Sequence, residues 1–510
     1  MQAIDLLIIV GYLVGITLFG TWFAKKQETT RDYFLGDRSV PWWAIAASIV
    51  ATETSTITFI SVPGIAYARG GNFQFLQLVF GYMLGRVVIS LIFIPLYFRG
   101  ELLTVYQLLD RRFGQRTKML AATLFVVMRN IADGIRLLLT AIVLAAVYTA
   151  FAPTTSADAV IVGSILVLGS VMIIFTYFGG MEAVIWIEVV QLGIYLFGAL
   201  AAALVLVGQI DGGLSTAIAA GAAYGKFSLF DFSFDLTKTF TFWAGLLGGC
   251  FLTMSTHGTD QYLVQRYLCT DKPRRAAAAL LTSGVVVLAQ FVGFLFIGVL
   301  LFAFYHPYAD PAYGLATTPA AYPFAGGDRV FPDFITKHMP SGLSGLVIAA
   351  ILAAALSSSL NSIAATAVND LYRPFRPDRD DRHYLRVSHW LTLLWGVVQV
   401  GVALAVRNQD RSALDQALSV ASLINGPVLG VFLIGTFLRR ASESAALTGM
   451  FIGIVAMLYI SFMTPLAWTW YVLVGSTVTF IAAWLASLVF APATQSEPAA
   501  VAEIDPETNR

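Results

Sequence analysis

The chain has 510 residues, of which 58% are hydrophobic and only 12% are charged, and its formal net charge is +1. Soluble domains carry roughly a quarter charged residues, so this composition excludes a soluble protein and indicates a membrane protein that crosses the bilayer many times. A net charge near zero leaves no basic surface of the kind that binds nucleic acid.

Apolar stretches of about 20 residues, the length that crosses about 30 Å of hydrocarbon, predict about thirteen transmembrane helices. We therefore predict an all-α polytopic membrane protein with a single transmembrane domain at residues 1–490 and a disordered cytoplasmic tail at residues 491–510. The predicted spans lie near residues 4–23, 41–67, 74–98, 117–150, 159–178, 183–208, 240–265, 276–305, 343–368, 387–406, 413–437, 445–463 and 466–490.

The first span and the loops indicate the orientation. Residues 6–23 are followed by Lys25 and Lys26 rather than by a small-residue cleavage site, so we interpret them as a retained span and not as a signal peptide. Basic residues concentrate in alternate loops, including 266–275 and 373–386, and an excess of that kind marks cytoplasmic loops. We predict an outside N-terminus and a cytoplasmic C-terminus in the plasma (inner) membrane.

The second span contains a polar run that a lipid-facing helix does not tolerate. Residues 51–58 read Ala-Thr-Glu-Thr-Ser-Thr-Ile-Thr and include the carboxylate of Glu53. Such a run at bilayer depth is expected to face a protein-lined or water-filled cavity, where unwound backbone and hydroxyl groups coordinate an ion or a substrate. This is the first indication that the chain moves a solute.

Other charged residues also fall inside apolar spans. Burying the carboxylate of Glu53 or Glu188 without a partner is costly, so each is expected to have a partner or to change its protonation. The charged residues of the third and fourth spans are candidates for internal ion pairs that lock helices together. Arg136 in particular is alternatively a guanidinium that binds a substrate carboxylate. The candidate partners on the third and fourth spans are Arg86, Arg129, Asp133 and Arg136.

Two further spans carry polar side chains. His257, near the end of the seventh span, is either a hydrogen-bonded structural residue or a ligand, and Thr253 and Thr256 give its helix a polar lining. Serines in the ninth span often serve only close helix packing or bond their own helix. Their oxygens are also hard, neutral ligands that suit Na+. The group comprises Ser357, Ser358, Ser359, Asn361 and Ser362.

The rest of the chain excludes several classes of function. Residues 306–342 form the longest external connection, a candidate short lid, and no segment is long enough for a soluble catalytic or signalling domain. No His-Glu-x-x-His motif occurs, and we predict that the chain is not an enzyme. A passive channel would need a continuous polar pore, whereas the polar residues here gather at mid-membrane.

Four separated motifs, in one order, resemble the sodium/solute symporter family. The resemblance extends over about residues 5–470 and is closest to the branch of iodide, monocarboxylate and multivitamin symporters. It implies a leucine-transporter-type fold, with a core of two inverted repeats of five spans, one further span before the core and two after it. The motifs are DYFLGDRSVPWW at 32–43, YFGGMEAVIWIEVVQ at 177–191, GTDQYLVQRY at 258–267 and SLNS at 359–362.

The resemblance also implies a Na+ site between the second and ninth spans. In this family, backbone carbonyls of the first core helix and paired hydroxyls of the eighth bind the ion, and the carbonyl positions match Ala51 and Thr54. Counted forward from the segment Gly-Leu-Val-Ile at residues 345–348, the hydroxyl pair falls on Ser357 and Ser358. Counted back from Asn361 and Asp370, it falls on Ala354 and Ala355, because this chain is three residues shorter between these landmarks than is usual in the family. We prefer Ser357 and Ser358; the other register puts sodium dependence in doubt.

Two departures from the family pattern concern coupling and substrate. Glu188 stands where relatives commonly have Asp, at a position tied in some of them to a second sodium site or to coupling. Glu188 and Glu53 are therefore candidates for a second ion or for coupling, including coupling to H+. His257 and Thr256 replace aromatic residues of sugar-transporting relatives, which argues against a stacked sugar ring. We predict a small organic anion, such as a monocarboxylate, bound by Arg136, Thr253, Thr256 and His257.

These inferences predict a secondary active transporter. It would carry out Na+-coupled symport of a small organic solute by alternating access, with Na+ as the coupling ion and not a tightly bound cofactor. An H+-coupled or cation-independent carrier of the same fold, or a membrane solute sensor that does not transport, is the alternative. The expected partners are the solute and the lipid bilayer, with no nucleic acid and no obligate protein partner evident.

Overall fold

The computed structural model describes residues 2–22, 28–54, 56–99, 102–151, 156–306, 324, 327–356, 359–407 and 413–490, without the side chains of residues 56–57, 150–151, 353–356 and 413–422. All regular structure within these ranges is helical. The α-helices are α1 (Ala3–Trp22), α2 (Thr30–Leu35), α3 (Trp42–Glu53), α4 (Thr56–Tyr67), α5 (Leu76–Tyr97), α6 (Gln107–Arg112), α7 (Gln115–Phe151), α8 (Ala157–Gln209), α9 (Gly213–Ala223), α10 (Gly249–Gly258), α11 (Gln261–Leu268), α12 (Pro273–Tyr305), α13 (Val330–Lys337), α14 (Leu343–Leu356), α15 (Leu360–Thr366), α16 (Asp381–Val406), α17 (Ala413–Phe437), α18 (Glu443–Met463) and α19 (Tyr471–Val489).

The helices lie where the sequence predicts spans. Eight of the described helices are long and apolar enough to cross a membrane, and α3 with α4 forms a further span bent by 59°. The 53 residues of α8 would extend about 80 Å, too far for one crossing. Gly180, with φ 61° and ψ −165°, breaks α8 between the predicted spans 159–178 and 183–208. The total of thirteen spans, the inverted repeat and the domain limits stay predictions, and the tail at 491–510 lies outside the described residues.

Two of the predicted spans are interrupted at their polar residues. The second span bends between α3 and α4. The seventh is interrupted between α10 and α11, where Asp260 caps α11 by accepting a 2.9 Å hydrogen bond from the backbone N–H of Tyr262. The ninth predicted span contains α14 and α15, and residues 357–358 between them lie outside the described residues. Interruptions release backbone carbonyl and N–H groups from the helical pattern, and at membrane depth they are tolerated where they line an interior site.

Glycines bring α5 very close to the seventh span. A Cβ atom on Gly81 would lie 2.2 Å from the carbonyl oxygen of Gly245, and one on Gly85 would lie 2.7 Å from that of Cys250. Small residues of this kind allow helices to pack backbone against backbone in membranes. The close approach places side chains of α5 directly against α10, which positions the functional site described below.

The first helix is fixed to α14 by a buried carboxylate. Asp5 Oδ1 accepts hydrogen bonds from the backbone N–H groups of Gly342, at 2.7 Å, and Gly345, at 3.0 Å. Asp5 is fully buried. It therefore caps the N-terminus of α14 from a different helix and satisfies donors that α14 leaves unpaired.

Replacing Asp5 with Ala is expected to lower the free energy of unfolding by about 1–3 kcal/mol, because two buried N–H groups lose their acceptor. Thermal unfolding of the purified protein in detergent measures the loss. Asp211→Ala, at an exposed carboxylate, is the control and should change little. Equal melting temperatures for the two variants would contradict the capping function.

Candidate functional site

The break between α3 and α4 lies at the polar run of the second span. Thr54 is 1% exposed, and its N–H still donates to the carbonyl of Val50 at 2.9 Å, whereas the backbone at Thr54 leaves the helical region with φ −80° and ψ 70°. Across the break, the hydroxyl of Thr58 donates to the carbonyl of Glu53 at 3.0 Å. Ala51 and Thr54, the predicted carbonyl donors of the Na+ site, are thus both buried at the end of an interrupted helix.

The predicted hydroxyl partners, Ser357 and Ser358, lie outside the described residues. Their flanks are described: α14 ends at Leu356 and α15 begins at Leu360. Between them, the hydroxyl of Ser359 donates to the carboxylate of Asp133 on α7. Ser359, next to the undescribed pair, is therefore in contact with the fourth span.

Glu53, Arg86 and His257 form what we call the central cluster. Arg86 Nη2 donates to both carboxylate oxygens of Glu53, at 2.6 Å to Oε1, and His257 Nε2 lies 2.7 Å from the same Oε1. The hydroxyl of Thr256 lies 3.0 Å from His257 Nδ1. The predicted need of Glu53 for a partner is confirmed, and the cluster joins the end of α3 to α5 and α10.

Glu188 has a partner that the sequence did not suggest. Arg266 of α11 donates from Nη2 to Glu188 Oε1 at 2.5 Å and from Nε to Oε2 at 3.2 Å. The hydroxyls of Thr52, at 3.0 Å, and Ser48 donate to the same carboxylate. Both side chains of the ion pair are 1% exposed. The assignment of Arg266 to a cytoplasmic loop was wrong: this guanidinium is buried and ties α11 to α3 and α8.

The two arginines of the fourth span form ion pairs with different carboxylates. Arg129 Nη2 lies 2.5 Å from Asp260 Oδ2. Arg136 Nη1 lies 3.6 Å from Asp133 Oδ1, with 17% of the Arg136 side chain exposed. Arg136 therefore has a longer ion pair and more accessible surface than Arg129, and its partner Asp133 also accepts a hydrogen bond from Ser359.

The sequence profile of the sodium:solute symporter family matches residues 33–453. The chain belongs to the sodium:solute symporter family. It is 30% identical over 506 residues to the sodium/sialic acid symporter SiaT of Proteus mirabilis, covering 96% of each chain. It is also 27% identical to the human sodium-coupled monocarboxylate transporter 1, over 89% of this chain and 73% of that protein.

Solved structures support the same assignment. A Na+-coupled sialic acid symporter in a substrate-bound outward-open state superposes with a TM-score of 0.84, at 29% identity over 97% of this chain and 99% of that one. MHP1, a nucleobase-cation-symport-1 transporter, has a TM-score of 0.52 at 15% identity and shows the fold alone. The predictions of an all-α leucine-transporter-type fold, a sodium-coupled multi-pass transporter and Na+ as the coupling ion are confirmed; members of the family are transporters and not enzymes.

The symporter brings together only some of the residues predicted to bind substrate. Thr256 and His257 adjoin Glu53 in the central cluster, whereas Arg136 lies beside Asp133 on the fourth span. Thr253 faces α5, because the Cβ position of Gly85 lies 2.8 Å from its Cβ atom.

Sequence reasoning missed Arg266, Asp260 and Gln290 as polar residues that contact these sites. Gln290 Oε1 of α12 lies 2.8 Å from the Thr54 hydroxyl. Arg266 and Asp260 both occur in the motif at 258–267, which was the one signal that could have found them. Gln290 carries no motif, and only its position within an apolar span marks it.

Proposed function

We propose that this symporter couples Na+ movement to the uptake of a small organic anion such as a monocarboxylate. Arg136 carries the proposal: its side chain is 17% exposed, its carboxylate partner is 3.6 Å away, and its buried Nη1 has no hydrogen-bond partner among the described residues, so a substrate carboxylate can form a shorter, charge-assisted pair with it. The relatives reported above are named for sialic acid and for monocarboxylates, and both are carboxylic acids.

The proposed ion site lies between the second and ninth predicted spans. Backbone carbonyls of Ala51 and Thr54 would bind Na+ together with the hydroxyls of Ser357 and Ser358. The support is that α3 ends where the carbonyls are required, and that Ser359, next to the undescribed hydroxyl pair, is buried. Neutral oxygen ligands of this kind suit a hard monovalent cation.

Coupling follows from differential binding. Na+ would stabilise an outward-open state and order the substrate site, after which the loaded protein moves inward and releases both ligands. We place the N-terminus outside, the C-terminus in the cytoplasm and the protein in the plasma (inner) membrane.

The charge pairs favour Na+ over H+ as the driving ion. Glu53 and Glu188 are the two carboxylates that would carry a proton, and each accepts hydrogen bonds from a buried guanidinium. A coupling proton would therefore have to displace an ion pair that is already formed.

A thermal-shift panel tests the proposed function. The purified protein is heated with small acids, sugars or amino acids, each in Na+, Li+ or choline. We expect stabilisation by a small acid that requires Na+, because a ligand that binds the folded state raises its stability by mass action. Equal stabilisation in choline would refute sodium coupling, and stabilisation by sugars alone would refute an anionic substrate.

Arg136→Gln is expected to weaken the binding of the acid by about 10–100-fold, the equivalent of one hydrogen-bonded charge pair, and to leave the stabilisation by Na+ alone in place. Isothermal titration with the acid found in the panel measures the change. Arg407→Gln removes an arginine whose pair with Asp158 lies at the surface and serves as the control. Unchanged affinity in Arg136→Gln would remove Arg136 from the substrate site.

A further inference from the structure

An open apolar groove of about 600 Å³ lies between α18 and α19. A Cβ atom on Gly449 would lie 2.6 Å from Ala483 Cβ, and one on Gly475 would lie 3.0 Å from Met457 Cγ. These contacts pair an early residue of α18 with a late residue of α19, and a late residue of α18 with an early one of α19. The two helices are therefore antiparallel, with the start of α18 beside the end of α19.

The groove has about the length of one membrane leaflet. Along α19 it extends from Val478 to Phe490, which is about 18 Å at the rise of an α-helix, and half of the hydrocarbon core is about 15 Å. On α18 it is lined by Thr448 and Ile452, within about three turns of the start of that helix. The groove therefore lies in the leaflet at this end of the two helices, and a hydrocarbon chain of that leaflet matches its length.

Two exposed arginines lie beside this end of the groove. Arg439 and Arg440 belong to the connection between α17 and α18. Ala441, the next residue, forms a small buried cluster with Ala483, and Ala486 of the groove lining packs against that cluster. Neither guanidinium forms an ion pair or a hydrogen bond with another described residue, so both are available to a ligand at the end of the groove.

Neighbouring groups do not compensate this positive charge. Glu443 is the nearest acidic residue along the chain, and its Oε1 accepts hydrogen bonds from the backbone N–H groups of residues 116–117 at 2.9 and 3.2 Å. The carbonyl groups of Leu438 and Arg439, at the negative end of α17, accept hydrogen bonds from Arg112 at 2.9 and 3.0 Å. Arg112 therefore offsets the dipole of α17, which would otherwise repel an anion here.

We propose that the groove binds an anionic phospholipid, with an acyl chain between α18 and α19 and the phosphate group at Arg439 and Arg440. Basic residues next to a membrane-spanning helix attract anionic headgroups, and a guanidinium binds phosphate through two parallel hydrogen bonds. In the orientation proposed above, the lipid belongs to the cytoplasmic leaflet, where basic loops and anionic lipids coincide.

The C-terminal segment matches the groove less well than a lipid does. Residues 491–510 follow Phe490 directly and include acidic side chains that can pair with arginine. Their large aliphatic residues are only Val501 and Ile504, so they supply little apolar area to bury in the groove. A hydrocarbon chain fills the same length and brings no backbone polar groups that would need partners.

Native mass spectrometry of the purified full-length protein in detergent measures lipid binding directly. Dioleoyl phosphatidylglycerol is compared with dioleoyl phosphatidylcholine, which has the same chains and no net charge, and with glycerol phosphate, which has no chain. Arg439→Gln with Arg440→Gln removes the two charges. Arg376→Gln with Arg379→Gln, at exposed arginines of the basic loop 373–386, is the matched control.

A second pair of variants tests the groove itself. Ala482→Trp fills it, because Ala482 is a small residue of the lining. Leu488→Trp is the matched control, at a 69% exposed position of α19 that is not part of the lining. If Ala482→Trp does not fold, Ile481→Trp replaces it, because Ile481 lines the groove and is 48% exposed.

We expect the wild-type protein to bind phosphatidylglycerol about 25-fold more tightly than phosphatidylcholine, because each arginine beside an anionic headgroup contributes roughly fivefold. The preference should fall to about twofold or less without Arg439 and Arg440, and should persist in the arginine control. Filling the groove should weaken the binding of both lipids by at least about 10-fold, because about two methylene groups of the chain lose their contacts. Leu488→Trp should change neither affinity.

Equal affinities for the two lipids would overturn the headgroup contact, as would a preference that survives the loss of both arginines. Equal lipid binding by the groove-filling variant and Leu488→Trp would assign the lipid to the general lipid shell and overturn the groove as its site. Displacement of phosphatidylglycerol by an equal concentration of glycerol phosphate would show that a free phosphate suffices and would also overturn the proposal.

The other occupants of the groove give different results. If a variant that ends at residue 490 binds phosphatidylglycerol at least about 10-fold more tightly than the full chain, the C-terminal segment occupies the groove. If the protein is a dimer that Ala482→Trp dissociates, a second copy occupies it. Either result would overturn the lipid site, and none of these measurements depends on the substrate or on Na+.

Discussion

Replacing Arg266 with Leu is expected to lower the free energy of unfolding by about 3–5 kcal/mol, because it leaves the buried carboxylate of Glu188 without its charge partner. Both side chains are 1% exposed, and the pair joins α8 to α11. The hydroxyls of Thr52 and Ser48 would still donate to the carboxylate, but they bring no compensating charge. Thermal unfolding in detergent and the yield of monodisperse protein measure the effect.

Two further variants separate the ion pair from loss of the arginine itself. Arg275→Leu breaks an exposed pair with Asp271, in which 53% and 46% of the side chains are accessible, and should cost no more than about 1 kcal/mol. A double variant, Arg266→Leu with Glu188→Met, removes both charges and should recover much of the loss, because a buried pair replaced by apolar residues costs far less than a broken one. If Arg266→Leu is as stable as Arg275→Leu, the pair does not hold these helices together.

The fold was largely predictable because hydrocarbon imposes a simple length requirement. Spans of about 20 apolar residues appear as helices at the predicted positions, and even the boundary inside α8 falls at Gly180, between two spans separated by only four residues. The polar run at residues 51–58 predicted the bend of 59° between α3 and α4, because a carboxylate and hydroxyls at membrane depth require an interior surface.

The pairing of the buried charges was not predictable to the same extent. The sequence offered several arginines as partners for Glu53 and Glu188, and only packing decides which arginine is within reach of each carboxylate. Arg86 of α5 lies within hydrogen-bonding distance of Glu53 at the end of α3. Arg266 stands 78 residues from Glu188 along the chain. As a basic residue at the end of an apolar stretch, it has the same local appearance as a loop residue that follows the positive-inside rule.

The two ion pairs have different consequences for coupling. Glu188 is fully enclosed and joins three helices, so its charge is committed to holding them together. Glu53 is partly accessible and lies one residue from Thr54 in the proposed ion site, and Arg86 and His257 both contact its carboxylate. Binding of Na+ at the end of α3 would therefore affect the contacts that join α3 to α5 and α10.

The double variant Ser357→Ala with Ser358→Ala is expected to raise the Na+ concentration needed for half-maximal uptake by about 100-fold or more, because each of the two contacts between a hydroxyl and a charged group contributes about 1.5–3 kcal/mol. Linkage is reciprocal, so the affinity for substrate at a fixed Na+ concentration should fall as well. Uptake into proteoliposomes over a range of Na+ concentrations measures the first effect, and calorimetry in Na+ measures the second.

Two controls are needed. The first separates loss of ion binding from loss of helix packing, and the second tests whether the hydroxyl pair of the family aligns with residues 357–358 or with residues 354–355. Ser388→Ala removes a buried hydroxyl that donates to its own helix at 2.8 Å, and it should leave the Na+ dependence unchanged. If the alternative register is right, Ala354 and Ala355 face the ion: Ala354→Ser with Ala355→Ser would then strengthen Na+ binding, and the Ser357 and Ser358 double variant would change nothing. If the Ser357→Ala, Ser358→Ala variant takes up substrate with the same Na+ dependence as the wild type, Ser357 and Ser358 do not belong to the ion site. The assignment then moves to positions 354 and 355.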